Sequence, residues 1–124
     1  MTDALSIALS GLQALGQRLA ASASNIANAN TVGAVPTVDT PTSTVYKPLN
    51  VSYTALISGD HQGSGVRADV TADPNGFSVA YDPSSIYANK DGLVAVPNVD
   101  FTREIVGISE TKSLFKANVA VIKT

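Results

Sequence analysis

Two apolar stripes at heptad spacing, one near each end of the chain, restrict what it can fold into. Leu5, Ala8, Leu12, Leu15, Leu19, Ser22 and Ile26 recur at alternating steps of three and four, as do Phe101, Ile105, Ile108, Lys112, Phe115, Val119 and Ile122. That spacing keeps one helical face apolar over several turns and predicts a coiled coil between the chain's own two ends. From Met1 to Val38 the only charged side chains are Asp3 and Arg18. A helix with one wet face normally carries charge on it, so the rest of the first helix is expected to meet neighbouring subunits. The pattern points to an assembly subunit.

With 124 residues the chain has room for one domain, or for a helical layer carrying a small β module. Eight Lys and Arg against ten Asp and Glu, with no basic run, argue against a nucleic-acid partner. The absence of cysteine removes disulfides, thiolate metal sites and thiol catalysis. A signal peptide is not expected, because Asp3 stands where a basic n-region belongs and Ser6, Ser10, Gln13, Gln17 and Arg18 interrupt the apolar run. The same polar positions rule out a membrane span, which needs about 20 mostly apolar residues.

The first helix is expected over residues 4–28, with Asp3 at its N-cap or in its first turn and its end in the Asn25–Asn30 region. Gly11 and Gly16 each cost a helix interior roughly 1 kcal/mol relative to alanine, so packing must supply the missing stability. Pro36, Pro41 and Pro48 make residues 31–48 an extended linker. Val45–Ile57 and Val66–Ala72 read as strands around the turn Ser58–Gly65. Asp73-Pro-Asn-Gly76 reads as a hairpin turn, with Phe77–Tyr81 returning beside the preceding strand. Leu93–Val96 forms a short strand, and Asp100 or Asn98 caps the last helix. Lys112 has two readings: a polar core residue that fixes register with its stem along the seam, or the edge of a slightly rotated stripe.

The expected class is therefore α+β, with N- and C-terminal helices pairing as a coiled coil and a small antiparallel β region between them. The units are 1–30 for the first helix, 31–48 for the linker, 49–98 for the β region and 99–124 for the second helix.

Chemistry finds little footing. His61 beside Asp60 lies in a Gly/Ser-rich turn, where a catalytic base would lack an orienting partner. Asp73-Pro-Asn-Gly76 and Asn89-Lys-Asp-Gly92 have fragments of a calcium loop without its spacing or terminal Glu, and read as turns. Gly63-Ser-Gly65 lacks the setting of a phosphate loop, and Asn50-Val-Ser52 is a glycan triplet short enough to arise by chance. No catalytic residue, cofactor, metal or small-molecule substrate is expected.

Ser6-Ile-Ala-Leu-Ser-Gly-Leu12 and Ala23-Ser-Asn-Ile-Ala-Asn-Ala-Asn30 resemble the N-terminal motif of bacterial flagellar rod and hook proteins. Tyr81-Asp-Pro83, Ala88-Asn-Lys-Asp-Gly-Leu-Val94, Pro97-Asn-Val-Asp100, Glu104-Ile-Val106 and Lys116-Ala-Asn-Val119 are similar to the proximal-rod branch of that family. The resemblance covers about half the chain, at its two ends. It implies a structural subunit of the basal-body rod, which spans the periplasm, exported by the flagellar type III apparatus without a cleaved leader. Copies of itself and other rod proteins would be its partners, with both helices in an inner coiled-coil layer and the β element outside. The implied assembly interface is Leu5, Leu12, Leu15, Leu19, Ile26, Phe101, Ile105, Ile108, Phe115, Val119 and Ile122. Asn25, Asn28, Asn98, Asp100 and Asn118 match motif positions and are implied to make helix-end or intersubunit hydrogen bonds.

Two departures stand out. Thr31-Val-Gly-Ala34 replaces the family's Thr-Pro-Gly-Tyr, and the chain stops at Thr124 where the family continues for a turn or more, so part of the inner helical layer is expected to be missing. Another axial protein of the rod or hook type, or a small secreted binding module, remains the alternative.

Overall fold

The computed structural model describes residues 2–39 and 44–124. Met1 and Pro41, which the sequence places in the first helix and the linker, lie outside the described residues. The order is α1 (Thr2–Ala27), β1 (Leu49–Ile57), β2 (Gly63–Ala72), β3 (Phe77–Tyr81), β4 (Leu93–Pro97) and α2 (Phe101–Lys123). Both terminal helices form, with an antiparallel β region between them, as the stripes and turn signals predict. Neither helix is long and apolar enough to cross a membrane.

Helix α1 begins ahead of Asp3, which therefore sits in the first turn, where its carboxylate favours the helix dipole. Helix α2 is capped by Asp100, whose side chain accepts from the Arg103 N–H at 3.2 Å. The helices pack antiparallel: Gly11 lies beside Asn118, Arg18 beside Gly107, and Asn25 bonds to Glu104.

The β region holds two separate two-stranded sheets, and here the structure corrects the expected pairing. β1 pairs with β2 around the turn at Ser58–Gln62, whereas Phe77–Tyr81 pairs with Leu93–Pro97 and not with the strand before it. Asp73-Pro-Asn-Gly76 does turn, with the Gly76 N–H donating to the Asp73 carbonyl at 3.2 Å. It connects two sheets, because the β2 ladder is already filled by β1 through the Asp73 N–H to the Pro48 carbonyl. Local turn chemistry specifies a reversal of the chain; which strand fills the ladder is decided by competition among all of them.

The first hairpin lies along α1. Leu49 is held at Asn25, Val66 donates its N–H to Ser10 Oγ at 3.1 Å, and the tip around Ser58–Ser64 faces Asp3 and Ser6. Its helix-facing side carries Val51, Tyr53, Val66 and Ala68, and its outer side carries Ser52, Thr54, Arg67 and Asp69. The linker wraps back through Gly33, which exchanges two backbone hydrogen bonds with Ala95 at 2.9 and 2.8 Å. Only glycine fits there, since a Cβ would stand 2.2 Å from the Val45 nitrogen. The buried apolar residues are mostly small: Ala8, Ala14, Leu15, Ala21, Val45, Ala68, Val94 and Ala95.

Candidate assembly interface

The seam between the helices is built from small and polar side chains. On α1 it follows Ala8, Gly11, Leu15, Arg18, Ser22 and Asn25; on α2 it follows Glu104, Gly107, Thr111 and Asn118. A Cβ on Gly11 would approach Asn118 Oδ1 to 2.8 Å, and one on Gly107 would approach an Arg18 guanidinium nitrogen to 2.6 Å. Small residues let the two backbones come close, and packing falls off steeply with any gap.

The seam is thus turned from the large-residue stripes by about one position in each helix. Ala8, Leu15 and Ser22 are shared between stripe and seam, while Leu5 and Leu19 point away, each nearly half exposed. On α2, Phe101, Ile105, Phe115 and Ile122 are exposed, and Ile108 and Val119 are half-buried. Leu12 and Ile26 are also half-buried, so Leu15 is the one member of the expected interface set with a buried side chain. Lys112 is exposed, which selects the rotated-stripe reading. The structure brings Leu15, Leu19, Ile108 and Phe115 together around an open groove of about 360 Å³, rimmed by Lys112 and Lys116. Leu5, Ile26, Phe101 and Ile122 do not line it.

Asn25 is the polar centre of the molecule, only 2% exposed. Its Nδ2 donates to the Leu49 carbonyl and to Glu104 Oε1, both at 3.0 Å. Its Oδ1 accepts from the Leu49 N–H and from the Tyr46 hydroxyl, both at 2.8 Å. Both donors and both acceptor positions of the amide are therefore used. The amide meets Leu49 as a neighbouring strand would, and ties α1, the start of β1 and α2 into one unit. Sequence spacing marks Asn25 as a motif position but does not reveal Tyr46 or Glu104 as its partners. Glu104 keeps its second carboxylate oxygen buried and without a hydrogen bond among the described residues.

The other motif positions serve more local ends. Asn28 Nδ2 donates to the Ser24 carbonyl at 2.9 Å, and the Asn28 carbonyl accepts from Thr31, closing the end of α1. Asn98 donates its N–H to Gly76 at 2.8 Å and accepts from the Ser78 hydroxyl, pinning the strand-to-helix corner. Asn118 Nδ2 donates to the Leu114 carbonyl at 3.0 Å. His61, at φ 65°, lies exposed in the β1–β2 turn. Nearby, the Ser58 hydroxyl and then the Gln62 N–H hold the Asp60 carboxyl below its ordinary value.

A tightly closed helical pair whose large apolar side chains remain outside defines a structural subunit awaiting other chains, and the comparisons say of which kind. The family described as "Flagella basal body rod protein" matches residues 5–34, the span from α1 to the Gly33 bridge. The flagellar basal-body rod protein FlgC of Yersinia enterocolitica is 34% identical over 119 residues, covering 95% of this chain and 84% of that protein. FlgC of Agrobacterium fabrum is 32% identical, over 99% of this chain and 86% of its own length. FlgC of Bacillus subtilis is 29% identical, over 95% and 86%. The chain belongs to the FlgC family of flagellar basal-body rod proteins.

Proposed function

We propose that this chain is a structural subunit of the proximal rod, stacking helically with copies of itself and other rod proteins and helping to transmit torque. The observation that carries this reading is the inversion of the helical pair. Small residues fill the intramolecular seam, while Leu5, Leu19, Ile105 and Phe115 face outward, the two leucines on a helix whose only charges are Asp3 and Arg18. Exposed apolar area of this kind is stable in a subunit whose neighbours cover it. The antiparallel helices, tied by Asn25 to the first hairpin, give a unit that can pass a twisting load without sliding. The role is mechanical and calls for no catalytic step or cofactor. Delivery to the rod would be by the flagellar type III export apparatus.

Leu19→Asp tests the reading. It puts a charge on the outer stripe and leaves the seam intact. The variant should be exported at the normal level but be missing from isolated basal bodies, and cells relying on it should not swim. Normal rods built from the variant would overturn the assignment of this face.

A further inference from the structure

No third strand joins either hairpin among the described residues, and the ladder geometry shows which backbone groups β3 and β1 offer on their outer edges. In an antiparallel pair, a residue turns its N–H and C=O to the same side, alternating along the strand. Ala95 gives both groups to Gly33, so Val79 opposite it turns its own pair away from β4. Leu93 is occupied by Asn89, its N–H reaching Asn89 Oδ1 and its carbonyl accepting the Asn89 N–H, both at 3.0 Å. Phe77, Val79 and Tyr81 therefore offer their N–H and C=O groups on an edge that, among the described residues, no other helix or strand contacts.

On the first hairpin, Asn25 takes both backbone groups of Leu49, which sets the same alternation. Val51, Tyr53 and Ala55 then turn theirs away from β2, without a partner among the described residues. Neither edge carries the usual protection. Phe77-Ser-Val-Ala-Tyr81 and Val51-Ser-Tyr-Thr-Ala55 contain no charge and no proline, and such edges are templates for pairing with another chain. Val79 is 51% exposed, Tyr81 74% and Tyr53 48%, so both lines are reachable.

We infer that β3 of one copy adds to the β1 edge of a second copy, forming a continuous sheet across the subunit boundary. The inference rests on the reading that copies stack in a helical assembly. The occupant is argued from the match between the edges: each offers three outward residues at alternate positions, and neither has a charge to exclude the other. Pairing β3 with β3 would be two-fold and would close as a dimer. Joining β3 to β1 is heterologous, so the same contact can repeat from one copy to the next. The apolar face of the hairpin beside Tyr53 then continues into Val79 and Tyr81 of the neighbour.

A benzophenone amino acid replacing Val79 in the full chain, irradiated in isolated basal bodies, tests this directly. The expected product has the mass of two copies, with the linked peptide containing residues 51–55. A product with a different rod protein, a link elsewhere on a second copy, or no product from incorporated chains would overturn the edge pairing while leaving the rod reading standing. Absence of both the wild-type and labelled chains from basal bodies would overturn the rod reading itself, and the inference with it. Val79→Pro gives an independent measure, since the N–H it removes points outward and is not used by the β3–β4 ladder. It should reduce incorporation up to about tenfold, the scale of one lost backbone hydrogen bond, while the purified chain keeps its circular dichroism. Unchanged incorporation would count against the pairing.

Discussion

The inner and outer faces of the helical pair are built from opposite materials. Between the helices lie Gly11, Ser22, Gly107, Thr111 and the amide of Asn25; outside lie Leu5, Leu9, Leu19, Ile105 and Phe115. A monomeric helical hairpin would reverse this, burying the leucines in its own seam. Here the internal contact is made by shape and hydrogen bonding, which fix one register. The outer contact is left to hydrophobic area, which is non-directional. A subunit that must first hold its own geometry and then join neighbours can use both, one for each task.

The contrast can be broken most severely at Asn25. Asn25→Ala strands the Leu49 N–H and C=O and takes the partner from Glu104 Oε1, while the Tyr46 hydroxyl keeps Ser24 Oγ at 2.8 Å. Unsatisfied buried groups cost about 1–3 kcal/mol each. We expect a loss of about 3 kcal/mol or more in urea unfolding of the purified chain, with the hairpin's amide protons exchanging as freely as those of the turns. A loss under about 1 kcal/mol would mean that the amide is not the tie between layers.

A matched pair of truncations sharpens the comparison at intermediate scale. Leu15→Ala removes a side chain 6% exposed and should cost about 2–3 kcal/mol, whereas Leu19→Ala, at 47% exposed, should cost under about 1 kcal/mol. On the proposed interface, assembly should rank them less steeply, because Leu19 would lose a partner surface only in the rod. Equal costs in the isolated chain would erase the distinction between the faces.

The smallest effect belongs to the hairpin tip, far from the seam. The Ser58 hydroxyl and the Gln62 N–H lower the Asp60 carboxyl from 3.8 by favouring its charged form. A depressed pKa contributes to folding above the unfolded value and loses that contribution as pH falls through the folded one. Ser58→Ala should move the Asp60 midpoint upward in an NMR titration, with the helical seam unaffected. An unmoved midpoint would remove Ser58 as the cause.

Much of the chain's organisation is legible in its residues. The two helices follow from the heptads, α2 starts where Asp100 can cap it, and the β region falls between strong turn signals. The orientation of the stripes is not legible. Periodicity shows that one face is apolar, but it assigns that face to the nearest partner, and the small residues at Gly11, Ser22 and Gly107 carry little hydrophobic signal. The pairing of Phe77–Tyr81 escaped for a related reason, since Asp73-Pro-Asn-Gly76 encodes a turn and not the destination of the strand.

The elements, their order and the scarcity of charge in α1 can be read from the residues alone. These follow from propensity, capping and period, all properties of neighbouring residues. That glycines and a buried amide make the internal seam, that Leu5, Leu9 and Leu19 face outward, and that two uncharged edges lack a neighbouring strand among the described residues emerges with the tertiary packing. Those choices depend on how closely two backbones can approach and on which residue completes another's hydrogen bonds, and residues as far apart as Asn25 and Glu104 settle them only when they meet.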